Sequence, residues 1–182
     1  IQYCSKFIQF LEDKQKLIEK KKKDLNFYPS FTTINVGKIS GGTAVNIIPN
    51  NCRIEFEIRD IPKFKTEKFV NQIKDYLLIL EGEMKSFNKK CSISLSEQNN
   101  FPPLITNHNS NIISLCLEKL RTNSLNTVSF GTEAGIFNQI GFQTIVCGPG
   151  SIKQAHKPDE YIEIVQLKKC EDFLTKVIDY LY

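Results

Sequence analysis

Apolar residues recur with a helical period in two segments of the first half of the chain. Residues 1–23 and 66–85 both place apolar side chains at intervals of three and four, with charged side chains between them. Because a helix completes a turn in about 3.6 residues, this spacing gathers the apolar side chains on one face. We therefore predict two amphipathic helices, the second with Thr66 as its N-cap.

Three other segments of the first half follow the strand period. The clearest is residues 43–62, where isoleucine and phenylalanine alternate with arginine and glutamate. A period of two with one polar face is typical of a half-exposed antiparallel strand. Residues 31–39 and 91–95 alternate in the same way and are also predicted to be strands. The order helix–strand–strand–helix–strand indicates a ferredoxin-like fold that lacks its first strand.

The second half alternates helices with short apolar strands, which indicates an α/β layer of a different kind. The predicted elements are a helix at about 109–121, a strand at 126–130, a short helix near 133–139, a strand at 143–147 and a helix at about 165–181. These strands are too few for a sheet of their own. We therefore predict an incomplete domain in residues 1–98, followed in residues 99–182 by the C-terminal part of a larger domain. Since the chain opens within a helical pattern and without Met, we expect a truncated or processed product.

Composition narrows the class of function. The 182 residues are 41% hydrophobic and 24% charged, which is ordinary for a globular protein. We expect no membrane partner, because no apolar run approaches the roughly 20 residues of a membrane span. We expect no nucleic-acid partner either, because the net charge is only +4 and the lysine run 20–23 suits a helix C-terminus. The six cysteines show no metal-binding spacing and are interpreted as buried side chains in a reducing cytoplasm.

His156 is the first candidate for chemistry. It lies in a loop after a predicted buried strand, where open α/β sheets carry their sites. Asp159 and Glu160 can orient its ring, and Gly148 and Gly150 permit close approach of the backbone. We interpret His156 as a metal ligand. Since a catalytic zinc ion takes about three protein ligands, we expect the remaining ligands outside this sequence.

The glycine-bracketed turn at residues 131–135 is the second candidate. Free backbone amides at a helix N-terminus and the Thr132 hydroxyl suit a carboxylate or an oxyanion, and Glu133 suits a cationic group. The alternative is a threonine helix cap followed by an acidic first turn, and the pattern leaves both open.

Arg59 and Asn46 are the third candidate. Arg59 ends the polar face of a predicted strand, and arginine binds carboxylates through two parallel hydrogen bonds. Cross-strand ion pairs explain the same pattern. Asn46 is an amide between two apolar runs, close to Pro49.

Three motifs carry a family resemblance that covers essentially the whole chain. They read GGTAVNIIPNNCRIEFEIRDIP, FGTEAGIF and GPGSIKQAHKPDEYIEI. In this order they resemble the acetylornithine deacetylase branch of the zinc-dependent amidohydrolases, which also include succinyl-diaminopimelate desuccinylase, aminoacylases and glutamate carboxypeptidases. The resemblance implies a mixed α/β fold. Residues 1–98 would be a ferredoxin-like dimerisation lid without its first strand, and residues 99–182 the C-terminal part of a zinc-peptidase-like catalytic domain.

The resemblance also implies roles for single residues. His156 matches the last metal ligand of a site that holds two zinc ions, for which Co²⁺ can substitute. Asn46 and Arg59 match lid residues that reach the substrate, often across a dimer. Thr132 matches a threonine that contacts the substrate or oxyanion. Glu133 stands where the desuccinylases have serine, and our hypothesis is that it helps to select the ornithine ammonium group.

The implied activity is hydrolysis of an N-acyl amino acid, with N2-acetylornithine giving ornithine and acetate in arginine biosynthesis. The implied enzyme is a cytoplasmic homodimer joined through residues 1–98. The family's general-base glutamate and remaining metal ligands have no counterpart here, so we expect no catalytic residue in this chain and no activity without the missing N-terminal half. The alternatives are a general aminoacylase or carboxypeptidase-like hydrolase, and a non-catalytic dimerisation or binding module.

Overall fold

A computed structural model of the chain describes residues 1–21, 23–62, 64–128, 131–155 and 157–182. Helices and one antiparallel sheet make up its regular structure, and the predicted mixed α/β class is confirmed. The elements are α1 (Gln2–Glu19), β1 (Thr33–Gly41), β2 (Cys52–Arg59), α2 (Thr66–Phe87), α3 (Asn111–Leu120), α4 (Ala134–Gln139) and α5 (Ile164–Leu181).

The chain forms two compact units. The first comprises Ile1–Pro103 and Thr127–Gly131, and the second comprises Leu104–Asn126 and Thr132–Tyr182. A hydrogen bond links Thr127–Gly131 to the rest of the first unit: the Thr127 hydroxyl donates to the Asn26 carbonyl oxygen. Gly131 also lies so close to Phe101 that a Cβ atom there would come within 3.0 Å of the Phe101 Cβ atom.

The sheet of the first unit confirms an antiparallel, half-exposed strand, but only over Cys52–Arg59, and residues 43–51 of the predicted strand form a loop instead. β1 pairs with β2 from Thr33 opposite Arg59 to Gly41 opposite Cys52, with an irregularity between Val36 and Lys38. Along β2, partly buried and exposed residues alternate without a break. The apolar face therefore packs inward, while the arginine and glutamate side chains point to solvent.

Two helices cover the apolar face of this sheet. The most deeply buried side chains lie on the apolar faces of α1 and α2, and they are Phe7, Leu11, Phe69, Ile73 and Leu80. Inward-facing strand residues such as Ile54 and Phe56 pack against this cluster. The Phe10 and Tyr76 rings of the two helices stack with centroids 4.2 Å apart. Burying this apolar surface is the main contribution to the stability of the unit.

The start of α2 and the segment after it differ from prediction. Lys65, not Thr66, is the N-cap, and the Thr66 hydroxyl instead donates a hydrogen bond to the Asp60 carboxylate. Residues 91–95 form no strand. Ile93 packs against the core cluster, but its backbone N–H donates to the Glu81 carboxylate at 3.0 Å. The apolar alternation is thus satisfied by packing on a helix, without a partner strand.

The second unit is built from α3, α4 and α5. Its buried residues include Ile113 and Cys116 of α3 and Gly135 of α4, and Lys119 of α3 lies 5.0 Å from the centre of the Tyr180 ring. The predicted strand at 143–147 is absent, because the Thr144 carbonyl accepts a hydrogen bond from the Thr106 side chain (2.5 Å) in place of a strand ladder. Of the predicted strand at 126–130, residues 126–128 are irregular, and the other two lie outside the described residues.

Among the residues that the structure describes, no helix has the length and apolar character needed to cross a membrane.

Candidate functional site

Asn46 lies at the tip of the loop that joins β1 to β2. The loop, residues 42–51, turns where the Ile47 N–H donates to the Ala44 carbonyl oxygen at 3.2 Å. Its apolar neighbours project into solvent, with Val45 fully exposed and Ile48 91% exposed. The structure therefore presents the Asn46 amide on an exposed and largely apolar tip, a feature that the sequence pattern did not reveal.

Arg59 is the last residue of β2, and its guanidinium group is already paired. Its Nε and Nη2 atoms each lie 3.1 Å from Oε1 of Glu57, and Nη2 lies 3.4 Å from Oε2. Residues two apart on a strand share a face, so this pair runs along β2. The cross-strand pair on the same face joins Lys38 to Glu55 at 3.6 Å. The Arg59 and Glu57 side chains are each 48% exposed, and such a pair contributes only about 0.2–1 kcal/mol.

Asn46 and Arg59 do not come together within the first unit. Asn46 precedes β2 and Arg59 ends it. The eight residues of β2, at a rise of about 3.3 Å per residue, separate the two ends of the strand by roughly 23 Å. A single amino-acid ligand is far shorter than this distance, so one copy of the first unit does not bring both side chains to one such ligand.

Thr132 closes the turn that precedes α4. Its hydroxyl oxygen accepts a hydrogen bond from the Ala134 N–H at 3.2 Å, and its carbonyl oxygen accepts one from the Gly135 N–H at 3.3 Å. The next two amides of α4, those of Ile136 and Phe137, donate to the Glu133 carbonyl oxygen. These four amides are therefore engaged within the turn, and α4 has only six residues. The group left to offer a ligand is the Thr132 O–H, which remains a donor.

Glu133 follows directly and is exposed. It has no ion-pair partner in the part of the chain that the structure describes. Thr132 and Glu133 are consecutive in the sequence, and they are the two predicted site residues that lie side by side.

The prediction for His156 falls outside the described residues. The loop before it makes two successive turns, in which the Gln154 N–H donates to the Ser151 carbonyl oxygen and the Ala155 N–H to that of Ile152. Gly150 has a φ of +93°, a conformation that glycine adopts without strain. A Cβ atom at Gly148 would meet nothing within 4 Å, so close backbone packing does not explain that glycine.

The described residues do not by themselves fit a zinc centre. No group of three or more His, Cys, Asp or Glu side chains is placed to hold a metal ion within those ranges, and a catalytic zinc ion takes about three protein ligands.

The cysteines depart from the expectation that they are buried. All six are free; Cys116 is buried, Cys147 is exposed and the other four are partly buried. Partial removal from water raises the pKa of the Cys116 and Cys147 thiols, and a neighbouring cysteine adds to each rise. The sequence did not reveal these proximities because the cysteines lie far apart along the chain.

A polar cleft of about 370 Å³ lies at the start of α3 in the second unit, and sequence reasoning missed it. Several of its lining residues are asparagines, including Asn107, Asn109 and Asn138. Ser110 also lines it, and the Ser110 Oγ atom is buried without a hydrogen-bond partner among the described residues. The asparagine-rich run at 107–111 was the available signal, but it was interpreted only as the end of a loop and the start of a helix.

Comparison with known proteins shows two kinds of similarity, one to a domain family and one to longer proteins. Residues 1–83 match M20_dimer, the peptidase dimerisation domain. An acetylornithine deacetylase of Myxococcus xanthus is 31% identical over 175 residues, which cover 96% of this chain and 45% of that protein. The acetylornithine deacetylase of Buchnera aphidicola subsp. Acyrthosiphon pisum (strain Tuc7) is 35% identical over 156 residues, or 85% of this chain and 39% of that protein. That of Pasteurella multocida (strain Pm70) is 32% identical over 151 residues, or 81% and 37%.

The chain thus spans less than half the length of these curated relatives. The similarity nevertheless extends well beyond the dimerisation domain, into the second unit. The resemblance inferred from the three motifs is confirmed. Residues 1–83 thus match the peptidase dimerisation domain, and nearly all of the chain is similar to the acetylornithine deacetylases.

Proposed function

We propose that this chain is part of a metal-dependent amidohydrolase that converts N2-acetylornithine to ornithine and acetate, a reaction of arginine biosynthesis. The observation that carries the proposal is its similarity, over 81–96% of its length, to proteins named acetylornithine deacetylase. The similarity extends over both compact units of the chain. It therefore favours the interpretation that the chain is part of an enzyme over the interpretation that it is an isolated dimerisation module.

The exposed polar groups have assigned roles in this proposal. Arg59 binds the α-carboxylate of a substrate after exchanging it for Glu57, and the low free energy of an exposed ion pair supports such an exchange. Asn46 contacts a substrate from the loop tip. β2 separates these two side chains. Each lid therefore contributes to two different binding positions, as it would if one of the two side chains reached the substrate of the partner subunit in a dimer.

In the second unit, Thr132 and Glu133 face the substrate. The Thr132 hydroxyl donates a hydrogen bond to the substrate, since its acceptor side is used by Ala134. Glu133 pairs with the side-chain ammonium of ornithine, and its exposure without a cation partner among the described residues supports that role.

The metal site and the general base complete the proposal. His156 supplies one ligand to a site for two Zn²⁺ ions, or Co²⁺ in their place, and the other ligands and the base lie in polypeptide outside these 182 residues. When bound, the metal polarises the acyl carbonyl and activates water. The chain covers less than half the length of its relatives, which supports the placement of the other ligands and the base outside it. The exposed apolar face of α5 supports the same placement. That helix has no buried residue, and Leu174, Ile178 and Leu181, which share one face, are each more than half exposed. Apolar surface of this extent marks a face that packs on further protein.

The assembly proposed is a homodimer through residues 1–98, supported by the dimerisation-domain match. We also propose a cytoplasmic location, which six free cysteines without a disulfide framework favour.

Complementation tests the function. The chain is expressed alone and together with the N-terminal portion of the Myxococcus xanthus relative that it does not cover. Ornithine release from N2-acetylornithine is then measured with added Zn²⁺ or Co²⁺. We expect release only from the combined polypeptides, with the N-terminal portion alone as control. Turnover by the 182-residue chain alone would contradict the placement of the base and ligands. Turnover of neutral N-acyl amino acids without turnover of acetylornithine would support a general aminoacylase instead.

A further inference from the structure

Two cysteines meet where α1 packs on β2. Cys4 lies in the first turn of α1, and Cys52 is the first residue of β2. They are 48 positions apart in the sequence, yet the Cys4 thiol donates a hydrogen bond to the Cys52 carbonyl oxygen with an Sγ–O distance of 3.9 Å. Both side chains are partly buried, so neither is sealed from small molecules in solution.

The approach of the Cys4 sulfur to the Cys52 backbone brings the two cysteines close together, which is the spatial condition for joining them. Burial raises the pKa of the Cys4 thiol to about 11, and the proximity of Cys52 adds to the rise.

Packed elements hold this arrangement on both sides. On α1, Phe7 follows Cys4 by three residues and therefore shares its face; its ring meets Phe56 of β2 edge to face, with centroids 5.5 Å apart. On β1, Gly41 pairs with Cys52, and a Cβ atom at Gly41 would come within 2.9 Å of the Cys52 Cα atom. The thiols therefore stay within reach of each other without a change of fold.

We propose that Cys4 and Cys52 are a modification site: they form a reversible disulfide by exchange with a low-molecular-weight disulfide such as oxidised glutathione. One cysteine thiolate attacks a sulfur of the small disulfide, which forms a mixed disulfide and releases one small thiolate. The second cysteine thiolate then attacks the protein sulfur of the mixed disulfide and releases the other. The two cysteines lose two electrons and two protons, and the small disulfide is reduced to two thiols.

The bond links the first turn of α1 to the point where the loop at residues 42–51 enters β2. It therefore fixes one end of the loop that carries Asn46 to the helical layer. In a reducing compartment such a link is transient and responds to the redox state. The proposal does not depend on the reaction that the protein takes part in.

Disulfide mapping of the unsubstituted 182-residue chain is the primary test. The chain is equilibrated with oxidised and reduced glutathione, its free thiols are alkylated, and its peptides are analysed by mass spectrometry without reduction. Six alkylated cysteines are expected in the reduced chain. After oxidation two fewer are expected, together with a cross-linked peptide that contains Cys4 and Cys52 and is lighter by two hydrogen atoms. Excess reduced glutathione restores all six thiols.

Substitutions provide matched controls. Cys4→Ser and Cys52→Ser abolish the cross-link, whereas Cys91→Ser, which alters another partly buried cysteine of the same unit, keeps it. Two results overturn the proposal: oxidation that leaves Cys4 and Cys52 only as mixed disulfides with glutathione, and oxidation that joins Cys147 to Cys116 or Cys170 while Cys4 and Cys52 still alkylate. Because mapping of the unsubstituted chain decides between these results, a variant that fails to fold does not weaken the test.

Discussion

The proposed carboxylate-binding role of Arg59 requires that its bond to Glu57 be weak, and this can be measured without any activity assay. Three contacts of 3.1–3.4 Å join the two side chains, which taken alone suggests a strong bidentate pair. Each side chain is nevertheless 48% exposed. Exposed ion pairs contribute about 0.2–1 kcal/mol because water screens the charges and two long side chains lose conformational freedom.

A double-mutant cycle isolates this free energy. Glu57→Gln, Arg59→Gln and the double variant are unfolded in urea, and the coupling is the difference that the two single changes do not account for additively. We expect a coupling of about 0.2–1 kcal/mol. The neighbouring pair of Arg53 with Glu55, at 3.3 Å on the same strand face, is the matched control and should give a coupling in the same range.

The same free energy limits the effect on binding. If Arg59 must leave Glu57 to bind a carboxylate, Glu57→Gln removes a competitor that contributes at most about 1 kcal/mol, and so tightens binding by no more than about fivefold. Glu55→Gln should change nothing, since Glu55 pairs with other cations. A coupling above about 2 kcal/mol between Arg59 and Glu57 would mean that the guanidinium group is held in place, and the proposed exchange would then be wrong.

Two further predictions concern carboxylates at other positions. In the complemented enzyme, Glu133→Gln should lower kcat/KM for acetylornithine while leaving a neutral N-acetyl amino acid almost unaffected; equal losses on both substrates would exclude selection of the ammonium group by Glu133. Glu81 has its pKa lowered, first by the hydrogen bond with Lys85 and then by that from the Ile93 N–H. A lowered pKa means that the ionised form is favoured in the folded state, so its contribution is complete above the usual value of 4.5 and is lost as the pH falls through the lowered value. Hydrogen exchange should therefore show protection at Ile93 that decreases in acid. Glu81→Gln should reduce that protection at neutral pH, and an unchanged protection factor in this variant would contradict the reasoning.

Local patterns determined most of the helices and the central strand. The alternation along β2 predicted its exposed face, because side chains on a strand point to opposite sides whatever the strand pairs with. The helical period located α1 and α2 within a few residues of their observed ends, since an apolar stripe is a property of the helix itself. The motifs likewise led from the sequence to the resemblance to the acetylornithine deacetylases, because they are runs of neighbouring residues.

Tertiary structure decided whatever depends on residues distant in sequence. Residues 91–95 and 143–147 have strand-like patterns, but a strand also needs a neighbour for its backbone hydrogen bonds, and side chains of Glu81 and Thr106 take those positions instead. The pairing of Arg59 along its own strand depends on side-chain geometry that charge pattern leaves open. Cys4 and Cys52, 48 positions apart, become neighbours only when α1 packs on β2. Local sequence patterns therefore determined the elements and the family resemblance, whereas packing determined which side chains meet.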